Sequence, residues 1–233
     1  MLMLLPIVVA LAAADPAPAA SSAPRPTPLT EIGRVRALPA CVPIVAHANG
    51  AITHALDNDR TLAVLTTNMR NTDFDKLNFM QRKNAIEALD KQALAMRVAS
   101  SAGDVEIKKL REYANASPDP QRKQELKTFA DALGGALYRQ KKAAVEFMRD
   151  VTIMRGREDA AEARQIMRDD GIPANPINGP LTTASVRTVL PDPPPAYNKQ
   201  MQSIGDTLDE LAQGILFDEG TAADHSIAAT SGC

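Results

Sequence analysis

The chain has 233 residues, 26 basic and 28 acidic, for a net charge of −2; 45% of it is hydrophobic but only 3% aromatic, with no Trp and 39 Ala. So aliphatic a composition favours helix and argues against an aromatic-packed β-sandwich, and the near-neutral balance excludes the broad positive field of a nucleic-acid binder. The length suffices for a substantial core in one domain, or at most two.

Residues 2–14 form an uncharged apolar run ending in Ala12-Ala13-Ala14. The run is too short to span a bilayer, but it has the length and small-residue exit of a secretory signal, although no Lys or Arg precedes it. We therefore expect a signal peptide over 1–14 and an exported protein, periplasmic or secreted. Residues 15–40 carry Pro16, Pro18, Pro24, Pro26, Pro28 and Pro39 among Ala and Ser, and read as a semi-extended linker without core. No later segment is apolar enough to predict a transmembrane helix. The two cysteines, Cys41 and Cys233, are the disulfide candidate that an oxidising compartment invites. Closing a loop of that length stabilises by roughly 5 kcal/mol in the chain-entropy model. A free or intermolecular thiol at Cys233 is the alternative.

Proline maps the remainder, because inside a helix it costs about 3 kcal/mol. Residues 44–117, 121–172 and 196–233 contain none. In the first of these stretches Pro43 suits a first turn, and Val45, Ala48, Ile52, Ala55, Leu56, Leu62 and Ala63 form a broad apolar stripe of a helix ending between Asn68 and Asn71. Thr72 and Asp75 resemble a capping box for a second helix through Phe74, Leu77, Ala85, Leu89 and Met96. Ser100-Ser101-Ala102-Gly103 predicts its stop. Asp104 would then cap a short third helix, closed by Ser117-Pro118-Asp119-Pro120. Leu126, Phe129, Leu133, Leu137, Ala144, Phe147, Val151 and Met154 repeat at three, four and seven, with Gly156 as an expected break. Gly134-Gly135 inside this helix reads as a close crossing by another helix, or as a hinge. Residues 171–195 hold seven Pro and predict a long connecting loop. Tyr197, Met201, Ile204, Leu208, Leu211 and Ile215 then alternate fours and threes. After Gly220 the composition is small and polar, so residues 218–233 are expected to be a flexible tail.

Apolar stripes on helices this long must be buried against one another. The predicted fold is all-α: an elongated antiparallel helical bundle over 41–217, with a Pro-rich loop and disordered termini.

Chemistry is sparse. His47 and His54, seven residues apart, project from one helical face, and Asp57 can add a carboxylate. This is the candidate metal set, although two turns, about 10 Å, separate the imidazoles, and the face lies roughly opposite the Val45/Ile52 stripe, where a solvated polar surface is the simpler account. No motif for covalent haem, a di-iron site, zinc proteolysis, a phosphate loop or a serine nucleophile occurs, so no cofactor and no catalytic residue are assigned. Arg139, Lys141, Lys142 and Arg149 form a basic patch. Residues 121–170 carry 11 basic and 9 acidic side chains, and residues 197–233 carry 1 and 6. That asymmetry predicts that the last helix lies against basic positions of the long one, or that each meets a different partner. The functional expectation is a non-enzymatic exported bundle that binds another protein or forms a homodimer, with no nucleic-acid ligand. The alternative is a small-ligand or metal-binding periplasmic bundle.

Overall fold

A computed structural model describes residues 27–32, 41–169 and 196–230. Helices α1 (Val42–Asn71), α2 (Phe79–Ala116), α3 (Pro120–Asp169) and α4 (Tyr197–Thr230) carry nearly all of them, and no strand occurs among these residues. Each helix packs on the next in the chain, and α1 touches both α3 and α4, as in a four-helix bundle. Cross-bundle contacts give the directions. Cys41 at the head of α1 meets Arg122 at the head of α3. Arg82 in the first turns of α2 meets Glu158 near the end of α3, and His225 near the end of α4 meets Glu125 near the start of α3. Neighbours therefore run antiparallel. At about 1.5 Å per residue, the 50-residue α3 is about 75 Å long. The expected antiparallel bundle is the observed fold.

Several expected boundaries are corrected. Thr72 ends α1, and the box that opens α2 is Asn78 with Gln81, each side chain bonded to the other's backbone N–H. Asp75 caps a different helix: its carboxylate accepts from the Tyr197 N–H at 2.9 Å, at the head of α4. The predicted stop at Ser100–Gly103 and break at Gly156 do not occur, and α2 and α3 run through both. Gly103 is small because Leu137 presses on it; an added Cβ would lie 2.7 Å from Leu137 Cδ1. Gly134 and Gly135 likewise admit Ile107 of α2 and Asp218 of α4, which is the close crossing and not a hinge.

The expected flexible tail from residue 218 is also overturned, since α4 continues to Thr230. Ala is the best helix former, and Gly220, Ala222, Ala223 and Ala229 are buried, so this low-hydrophobicity segment is held by close approach. Nor is the linker wholly outside the core. Leu29 is buried, and Asn49 bonds both backbone groups of Ile32, as a neighbouring strand would. Cys233, the Pro-rich loop 171–195 and the proposed signal peptide lie outside the described residues.

The core falls into two compartments. One is bulky and contains Phe74, Ile86, Met96, Phe147, Tyr197 and Met201. The other is thinner, built on Ile52, Ile107, Phe129 and Leu133 with Ala48, Ala51, Ala55, Ala130, Ala222, Ala223 and Ala229.

Candidate functional site

Between the two compartments lies a layer of polar side chains contributed by all four helices. Asn58 on α1 donates to Ser100 Oγ of α2 at 2.8 Å and to Gln140 Oε1 of α3 at 2.9 Å. Ser100 in turn donates to the Met96 carbonyl at 2.9 Å. Gln140 Nε2 faces three acceptors: the Ala55 carbonyl at 3.0 Å, Asp59 Oδ1 at 2.9 Å and Glu219 Oε1 of α4 at 3.4 Å. The Asp59 and Glu219 carboxyls also hydrogen-bond one another, which requires a proton between them. Asn58, Ser100, Gln140 and Glu219 are all buried, and Asp59 is half-buried.

Burial sets the electrostatics. Glu219 is pushed up to about 9, first by burial, then by the Asp59 charge and the bond to Asp59, and last by Asp218. Asp59 is also raised by burial, opposed by the bonds it accepts from Glu219 and Gln140. Both carboxyls are therefore raised, and the pair holds a proton between them.

None of these residues stands out as a motif. Their common signal is position: each occupies a place on an apolar stripe, with Asn58 between Ala55 and Leu62, Ser100 between Met96 and Ile107, Gln140 between Leu137 and Ala144, and Glu219 between Ile215 and Ala222. Asn58, one turn beyond His54, shares the histidine face that reads as a solvated surface, Gln140 sits within the basic patch, and Glu219 falls in the expected tail.

The predicted metal set is not assembled. His47 Nδ1 lies 2.6 Å from Glu106 Oε2 of α2, its ring 5.9 Å from that of Tyr113. His54 packs against α2 at Gly103. Asp57 is exposed and pairs with Arg60 on its own helix. Among the described residues no three His, Cys, Asp or Glu converge to hold a metal ion. The histidine face is turned toward α2 because the buried arc of α1 is wide. Taking about 100° per residue, it runs roughly 200° from Asn49 past Val45 round to Asn58 and Leu65, and the histidines sit at its α2 edge. Cys41, at the N-cap of α1, is buried and disulfide-bonded.

Among the described residues, one face of α2 and α3 carries a double row of exposed apolar side chains. Leu94, Val98 and Val105 on α2 and Tyr138, Val145 and Ile153 on α3 are each between 46% and 65% exposed. At about 100° per residue, the α2 trio falls within about 40° of arc and the α3 trio within about 80°. They border the seam that Asp90–Arg155 and Asp104–Lys141 close. A shallow groove of about 350 Å³ lies there, lined by Arg97, Val145, Met148, Arg149, Thr152 and Ile153. A second hollow, of about 540 Å³, lies where the end of α1 meets the start of α4. Its polar groups already engage one another, Arg70 with Asp209 and Asn198 with Asp73. The predicted approach of the acidic last helix to basic positions of α3 is seen at Arg139–Asp218, 2.7 Å.

The class defined by fold and site is a four-helix bundle whose core is divided by a carboxyl–amide layer, and no helix among the described residues is long and apolar enough to cross a membrane. Comparison with known proteins returns no match: no family model, no curated relative and no solved structure resembles the chain.

Proposed function

We propose that this chain is an exported, non-enzymatic bundle that acts by docking a protein partner on the outer face of α2 and α3. The observation that carries this reading is the double row of large apolar side chains left in water there, six on one face where scattered single residues would be ordinary. Charged groups along the seam, Arg97 and Arg149 among them, supply the polar rim such surfaces use. The most concentrated polar chemistry points the same way, since the layer spends its donors and acceptors on its own members within the bundle. Export is supported by the disulfide at Cys41, because such bonds persist in oxidising compartments.

The test is a paired substitution, Leu94→Glu with Val145→Glu, both exposed enough to leave the core alone. We expect unchanged thermal stability, together with loss of the species that co-sediments or cross-links with the unaltered protein in an envelope extract. Sedimentation of the purified chain separates a second copy from a different protein. Identical association by the two forms would end this reading.

A further inference from the structure

We propose that Asp59 and Glu219 form a proton-binding latch: while one proton is shared between them the Ala-rich half of α4, residues 216–230, stays seated on α1 and α3, and when the proton leaves to solvent that half loosens. The inference does not depend on what docks on the α2/α3 face.

The layer marks the point where the grip on α4 changes. On one side α4 is held by Tyr197, Met201, Ile204, Leu208 and Ile215, all buried. On the other side its buried residues are Glu219, Gly220, Ala222, Ala223 and Ala229, which remove far less apolar area from water. Apart from the disulfide at Cys41, for which Cys233 is the only other cysteine in the chain, the thin half relies on polar contacts among the described residues: Arg139–Asp218, His225–Glu125 at 2.6 Å and the Thr27 hydroxyl on Asp224 at 2.6 Å. These are partly exposed and individually weak.

The charges around the pair offer no substitute for the proton. From α1 the facing group is Asp59 itself, since Asp57 is turned to Arg60. From α2 only the Ser100 hydroxyl reaches the layer, and Asp104 and Glu106, a turn or more along, are engaged by Lys141 and His47. From α3 comes the neutral Gln140 amide, while Arg139 is committed to Asp218. From α4 comes Asp218, a further negative charge. Without its proton Glu219 is a buried anion beside two others. The least costly relief is to carry it into water with the weakly held segment attached. Because burial holds Glu219 up to about 9, the latch is closed at neutral pH and opens toward alkaline pH.

Hydrogen exchange of the full chain, read by mass spectrometry between about pH 6 and pH 10 and referred to the intrinsic rate at each pH, tests the latch. We expect protection of 216–230 to fall on the order of tenfold or more across that range, while 197–210 and α2 keep theirs. Glu219→Gln, which keeps the shape and donor without the charge, should hold the protection flat; Asp59→Asn is the second variant should the first not fold. Infrared spectroscopy of the unaltered chain should show a protonated carboxyl band at neutral pH. Constant protection, equal loss in Glu219→Gln, loss spread evenly over all four helices, or absence of that band would overturn the proposal.

Discussion

Gln140 is the residue on which the interior turns, because a single amide answers Asn58, the Ala55 carbonyl, Asp59 and Glu219 together. Gln140→Leu fills the same volume but strands those partners, and should lower stability by about 2–3 kcal/mol, measured by urea denaturation. Two glycines make the complementary case. Gly103 has Leu137 against it, so Gly103→Val overpacks the α2/α3 contact and should cost about 1–3 kcal/mol. Gly156 has nothing within 4 Å, and Gly156→Ala should stabilise by about 0.5–1 kcal/mol through helix propensity alone. Thermal melts of the pair should move in opposite directions. A fall in both would mean that Gly156 has a neighbour outside the described residues. The two look alike in the sequence, as stops, because a glycine required by a neighbour and one required by a turn leave the same letter. The polar layer was illegible for a related reason: one Asn or Gln in a stripe of apolar residues reads as noise until the other helices are placed beside it.

At the level of elements, α4 is begun by other parts of the chain. Asp75 caps its first N–H, and Asn198 bonds the Phe74 N–H and the Asp73 carboxylate. Asp75→Ala should cost about 1 kcal/mol and lower the protection of the first turn of α4 in hydrogen exchange. The same end of the bundle is tied by Arg82, which is paired with the buried Glu158, donates to the Phe74 and Leu77 carbonyls, and stacks 4.3 Å from the Tyr197 ring centroid. Arg82→Leu leaves Glu158 buried without its ion-pair partner and should cost about 3–5 kcal/mol by chemical denaturation. The helical character of all four segments was legible, with the start of α4 placed to within a residue, because an apolar stripe declares a helix wherever it lies, although α2 read as two helices and α3 as broken at Gly156. Their ends were less so. Asp75 shows why, since a capping side chain carries no mark of which helix it caps. The far end of α4 was hidden by its Ala content, which packs well only against a partner the sequence does not display.

For the whole molecule the buried carboxyl sets the pH dependence of stability. Glu219 moves from an ordinary 4.5 in the open chain to about 9 in the bundle. Below about 4.5 both states hold the proton, and its contribution is present in full. Between about 4.5 and 9 only the folded state holds it, so stability falls as pH rises, by at most about 1.4 kcal/mol per pH unit for one proton, and the contribution is gone above about 9. The raised Asp59 acts with the same sign. Denaturation midpoints measured across that window should decline for the native chain and flatten for Glu219→Gln.

The partition between the bulky and thin compartments has a last consequence, for alignment. Stripes of Leu, Ile and Ala are nearly self-similar every seven residues, so greasy helices alone would tolerate sliding past one another by two turns at small cost. Here such a slip would drive Glu219 among aliphatic carbons and leave Asn58 and Gln140 facing methyl groups, so the mid-plane acts as a keyway that admits one registration of the four rods and rejects its neighbours.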